Sequence, residues 1–206
     1  MNKDNKFQKF IFWFLSFTWG LPITLVGSII AIILMIGGKR PKKFGWCVYF
    51  NVGKYWGGLE FGPFFLVDSS DSFSIKCHEH GHGFQNIIMG PFFPLLVSFR
   101  SGARYWLREI KKYVLKIVYT VAICFFILAI SFMLIGFGQV GQVLCMKILG
   151  VVCLIYSAFF SIWLIDETVK HKDLKKYPDY DAFWVEGQAT RWGEKFIKQE
   201  DLVDKS

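Results

Sequence analysis

The sequence predicts a mainly α-helical, polytopic membrane protein, with about three transmembrane helices, a membrane-proximal helix carrying HExxH and a C-terminal helix. Three observations predict it. Hydrophobic residues make up 53% of 206 positions, aromatics 19% and charged residues only 19%, against about 25% charge in an average chain. Long runs carry little or no charge, and a helix needs about 20 apolar residues to cross a hydrocarbon core of roughly 30 Å. The fragment CHEHGHGFQ at 77–85 places two histidines one helical turn apart. This balance excludes a disordered chain, a collagen-like fibre and a disulfide-stapled secreted scaffold.

The first apolar run, 10–38, contains no charged residue and predicts a transmembrane helix kinked by Pro22. It is too long for a signal-peptide core, and GGKRPKK follows it instead of a cleavage site, so it reads as a retained anchor. The second and third spans are placed at 114–137 and 143–165. Lys116 and Lys147 lie near their ends, where long side chains reach the interface. The short connection GFGQVGQ makes these two an antiparallel hairpin. A shorter apolar piece, 87–99, holds Pro91 and Pro94 and has only 13 residues, so it is re-entrant, interfacial or buried in protein.

Basic flanks set the orientation. Lys39, Arg40, Lys42, Lys43, Arg100, Arg104, Arg108, Lys111 and Lys112 place 39–113 in the cytoplasm. Lys170, Lys172, Lys175 and Lys176 place the tail, 166–206, on the same side. The N-terminal Lys3, Lys6 and Lys9 weigh against this arrangement. The net charge of +8 therefore points to anionic lipid headgroups and not to nucleic acid. Arg100, Arg104 and Arg108 recur every four residues as one solvated or headgroup-facing stripe. The five cysteines form no CxxC pair, and Cys47 and Cys77 are expected as reduced thiols. No internal repeat is visible, and 1–206 reads as a single membrane domain.

The chemistry lies in 72–89. Ser69, Ser70, Asp71 and Ser72 offer N-caps, and Gly90-Pro91 offers a stop, so this segment predicts a helix. On it His78 and His82 are only about 40° apart around the axis and can share one ion. Glu79 lies about 100° from His78, placed to act on a water as general base instead of ligating. His80 points about 200° away and reads as a supporting or surface histidine. His171, among lysines, reads as solvated.

A catalytic zinc needs a third protein ligand, and the tail offers Glu186 on a helix that Asp179 can cap. Ala189 and Gly193 share its face and allow close approach to Gly81 or Gly83. Asp181 and Glu194 are weaker candidates, and an exposed Glu186 on an amphipathic helix is the bland alternative. The segment Phe61–Val67 suggests an edge strand that could pair with an extended substrate.

These residues resemble the gluzincin class of zinc metallopeptidases, closest to the membrane-embedded prenyl-protein and heat-shock proteases. HEHGH at 78–82 matches their motif fully. EGQAT at 186–190 matches their ExxAD at Glu186 and Ala189, with Thr190 standing where they carry Asp. That Asp supports a ligand histidine, a role a Thr190 hydroxyl can fill without charge. The chain is also similar to small bacterial membrane proteins that share WGG and GPF before HExGHxxQ, a GP turn after it and a Trp-x-Glu helix. These appear here as Trp56-Gly57-Gly58, Gly62-Pro63-Phe64, His78 to Gln85, Gly90-Pro91 and Trp184-Val185-Glu186.

The resemblance implies a zinc-dependent endopeptidase of a bacterial cytoplasmic membrane, its metal site on the cytoplasmic side and its substrate a polypeptide. His78, His82 and Glu186 would hold the zinc, Glu79 would be the base, and Tyr180 or His80 would face the oxyanion. Iron, manganese or cobalt also suit two histidines and a carboxylate. A structural metal clamp without catalysis, or no metal at all, is the rival reading. An ion path is disfavoured by spans almost free of charge.

Overall fold

A computed structural model describes residues 5–110, 112–141, 143–170, 172 and 182–203, with side chains described as far as Ile197. The expectations for His171, Asp179, Tyr180 and Asp181 lie outside the described residues. The chain is mainly helical and carries a small sheet, of which the sequence reading anticipated only a strand within Phe61–Val67. It divides into two compact units, one drawn from Met1–Phe99 with Pro178–Ser206 and one from Arg100–Tyr177.

In the first unit the run expected as one kinked span folds as two helices, α1 (Lys6–Phe17) and α2 (Leu21–Ile36), bent by 94°. Asn5 caps α1 by accepting from the Phe7 and Gln8 amides at 3.1 and 3.2 Å. Pro22 sits in the first turn of α2, where its missing N–H costs nothing, so it opens a helix instead of kinking one. Gly20 leaves room at the bend: a methyl built on it would lie 2.5 Å from the Asn86 amide nitrogen.

Four strands follow: β1 (Lys42–Phe44), β2 (Cys47–Asn51), β3 (Gly58–Phe61) and β4 (Phe64–Val67), in spatial order β1-β2-β4-β3. β1 pairs antiparallel with β2, β2 parallel with β4, and β4 antiparallel with β3, with Phe61 opposite Phe64. Residues 61–67 are therefore not one edge strand. Gly62, at φ 74°, turns the chain into a hairpin whose second strand is interior, and β3 is the end strand of the sheet.

The segment expected as a helix over 72–89 forms α3 (Phe73–Met89). Ser72 occupies its N-cap but makes no side-chain cap bond. The Asp68 carboxylate gathers the preceding turn instead, accepting from the Trp56 and Gly57 amides, each at 3.1 Å, and from Ser70. Gly90, at φ 55°, ends α3 beside the Trp19 indole. After it the chain continues as a 3-10 turn, Gly90–Phe92, and a π-helical turn, Pro94–Ser98, which bury Phe93 and Val97 against Val185.

α7 (Trp184–Val203) completes the unit. The main core gathers Phe12, Trp46, Tyr49, Phe65, Phe84 and Phe196 around α3. That helix is polar yet buried from Glu79 through Asn86. Buried polar residues are the exception in folded proteins and must be paired.

The second unit holds most of α4 (Phe99–Glu109) with α5 (Tyr113–Val140) and α6 (Leu144–Lys170). α5 and α6 have 28 and 27 residues and are long and apolar enough to cross a membrane. Counting the bent α1–α2 pair as one broken span raises the number to three. Gly150 lets the two helices approach, since a methyl there would lie 2.6 Å from Ile135 Cγ1. At the other end Thr168 donates to the Leu164 carbonyl and accepts from Thr120.

Ala103 and Leu107 of α4 pack on Phe160 and Leu164 of α6. The arginine stripe expected to face water or headgroups is divided. Arg108 is exposed, but Arg104 is buried, its Nε 3.5 Å from the Glu167 carboxylate. Burying a guanidinium demands such a partner, and the acid 63 residues later could not be assigned to it from spacing.

Candidate metal centre

α3 and α7 meet through missing side chains. A methyl on Gly81 would fall 1.9 Å from the Ala189 carbonyl oxygen, and one on Gly193 would fall 1.7 Å from that of Cys77. Only glycine at both places permits this contact, and it carries Glu186 to the two histidines. Glu186 Oε2 lies 3.1 Å from His78 Nε2 and 3.2 Å from His82 Nε2, and the two Nε2 atoms are 3.0 Å apart. His78, His82 and Glu186 thus present three donor atoms that can hold a metal ion.

The residues fit such an ion. Donors bound at 2.0–2.1 Å with tetrahedral angles stand about 3.3 Å from one another, close to the triangle found. Glu186 Oε1 is buried without a hydrogen-bond partner, as suits a carboxylate whose charge serves something other than the protein. Burial alone would raise the Glu186 pKa, but hydrogen bonds and charge from His78 and His82 outweigh it and hold the carboxyl well below its ordinary range.

Each histidine is fixed from behind. His78 Nδ1 lies 2.8 Å from Thr190 Oγ1, and His82 Nδ1 lies 2.8 Å from Gln85 Oε1. With its oxygen on His82, the Gln85 amide nitrogen donates to the Val185 carbonyl at 2.7 Å and to Gln188 Oε1 at 3.0 Å. These contacts fix both rings and turn both Nε2 atoms toward Glu186. Gln85 was not among the expected site residues. Its signal was its place three residues after His82, one turn further along the same face.

Glu79 is not among the three donors. It is buried against β3, where a methyl on Gly58 would lie 2.5 Å from its Oε1. Burial pushes its pKa up to about 7, with His78 opposing and Glu186 reinforcing the rise.

His80 is neither at the surface nor on the metal donors. It is fully buried, its Nε2 accepts from the Trp46 amide at 3.1 Å, and its ring stacks on Phe196. Burial lowers its pKa to about 3, so it stays neutral and braces the sheet against α3 and α7. Glu194 does not join the cluster. No protein-family model matches the chain, and no curated protein or solved structure matches it.

Proposed function

We propose that the protein is a membrane-bound zinc-dependent endopeptidase of gluzincin type. The observation that carries this reading is the three-donor cluster of His78, His82 and Glu186, with Glu79 outside it and against Gly58 of the end strand β3. A zinc ion held by those three residues would polarise a peptide carbonyl and bring the pKa of a water toward 7.

The chain's own residues divide the remaining work. Glu79 accepts the proton of the attacking water and delivers it to the leaving amine. Thr190 and Gln85 keep the histidines oriented. The outer edge of β3 offers backbone groups to an extended polypeptide, and Gly58 keeps that edge close to Glu79. The setting is the cytoplasmic face of a bacterial membrane, and the substrate is a membrane or membrane-proximal protein.

A second reading is a metal clamp that only ties α7 to α3, and the complete burial of Glu186 favours it. One experiment separates the two. Detergent-purified protein, His82→Ala and Glu79→Gln are compared for zinc content and for cleavage of fluorescein-labelled casein. The peptidase reading expects about one zinc per chain in wild type and Glu79→Gln, little in His82→Ala, and cleavage in wild type alone. Zinc bound without cleavage that depends on Glu79 would leave the clamp, and a wild type that binds no zinc would end both.

A further inference from the structure

The second unit holds a positive charge that the metal chemistry does not use. Arg100 lies on α4 with its guanidinium 5.5 Å from the Trp163 ring of α6 and hydrogen-bonded to Tyr156. Its Nε is buried without a hydrogen-bond partner. Its neighbour one turn on, Arg104, is matched by Glu167, whereas no carboxylate lies within ion-pair distance of Arg100 among the described residues.

Its depth makes this unusual. Asp166, Glu167 and Lys170 form the last charged turn of α6. At 1.5 Å per residue, Trp163 and Tyr156 lie about 5 and 15 Å further along the axis, toward the middle of the helix. With α5 and α6 spanning a bilayer, the guanidinium stands below the headgroup level. A charge at that depth is costly unless an anion or water meets it.

Protein supplies only part of that compensation. Tyr156 gives a neutral oxygen and Trp163 a ring face. Arg100 itself is half-buried, so one side of it is open. Apolar side chains are exposed on the same two helices, Trp106 on α4 and Phe159 and Ile162 on α6. An anion arriving there must carry acyl chains that suit such a surface. The phosphodiester of an anionic phospholipid does, and a guanidinium fork matches phosphate oxygens two at a time. We propose that Arg100, seated between Tyr156 and Trp163, is a specific receptor for the phosphate of an anionic phospholipid drawn inward from the leaflet.

This site is independent of the peptidase reading and fails separately from it. The test is native mass spectrometry of the full chain in detergent, titrated with phosphatidylglycerol, phosphatidylcholine or inorganic phosphate. Wild type is expected to keep one phosphatidylglycerol per chain, in preference to phosphatidylcholine. Arg100→Gln should weaken that adduct about tenfold, the loss of one charge-assisted contact. Arg100→Lys should lose less, and Arg108→Gln, which alters an exposed arginine of the same helix, should stay within about twofold. Helical content by circular dichroism checks that each variant is folded, and Trp163→Phe, which keeps a ring at the site, serves as a second probe. Equal losses in Arg100→Gln and Arg108→Gln would mean general attraction to basic residues and overturn the proposal. So would an unchanged Arg100→Gln, or full displacement of the lipid by inorganic phosphate.

Discussion

Gly81→Ala is the sharpest perturbation of the metal centre because two known effects oppose each other there. In an isolated helix the change stabilises by about 1 kcal/mol. Here the new methyl would fall 1.9 Å from the Ala189 carbonyl oxygen, where a carbon and an oxygen need about 3.3 Å. α7 must therefore withdraw by about 1.4 Å, the difference between those two distances. Glu186 lies one turn before Ala189 and retreats with it.

The separations of 3.1 and 3.2 Å from Glu186 to the two histidines then open to about 4.5 Å, beyond what one ion bridges within a tolerance of about 0.2 Å per bond. Zinc affinity should fall at least about 100-fold. Overpacking costs about 1–3 kcal/mol, enough to outweigh the helix gain and lower the melting temperature by several degrees. Gly102→Ala is the control, because nothing lies within 4 Å of a methyl there and it should stabilise by about 0.5–1 kcal/mol. A chelator-competition titration and a thermal melt in detergent read both quantities. If Gly81→Ala bound zinc as wild type does and melted no lower, the contact between α3 and α7 would be refuted.

Three further outcomes follow from the same geometry. Thr190→Val removes the hydroxyl on His78 Nδ1 and should lower zinc affinity about 10–100-fold, while Thr190→Asp should restore or strengthen it; chelator competition measures both. Gln85→Leu removes the oxygen on His82 and the amide bonds to the Val185 carbonyl and Gln188 Oε1. Denaturant unfolding of the metal-free protein should then show a loss of about 1–3 kcal/mol, which a purely metal-directed role would not produce. Tyr55 is 92% exposed at φ 59°. A left-handed backbone costs a bulky residue about 1 kcal/mol, so Tyr55→Gly should raise the melting temperature by a few degrees. An unchanged or lower value would mean that the ring makes a contact worth more than the strain.

Local patterns were legible wherever one segment contained the whole signal. HEHGH on a capped, Pro-terminated stretch specified α3, because one helical turn suffices to bring His78 and His82 together. Ala189 and Gly193 beside Glu186 marked a face without bulk, and bulk is what keeps helices apart. The bend at 18–20 was hidden because Gly20 and Pro22 both occur inside apolar spans as well as at helix starts. β1 and β2 escaped notice because so short a run has no clear period, and the parallel β2–β4 pairing joins segments that no turn links directly. Gln85 stood in the HExGHxxQ pattern without a role, because the groups that give it one, Val185 and Gln188, lie a hundred residues away.

By itself the sequence determined that long apolar helices must find a non-aqueous environment, and that two histidines and a glutamate ride one helix. Both follow from chemistry within a few turns of chain. The tertiary structure decided between Glu186 as the third donor and Glu186 as an exposed helical residue, and it alone decided that His80 serves the core and that Arg104 turns inward to Glu167 while Arg100 is left beside an aromatic pair. Each of those outcomes depends on what stands opposite a side chain after folding. Whether a polar group is a ligand, a brace or a solvated charge is set by its desolvation and its partner, and neither is written in the residues next to it.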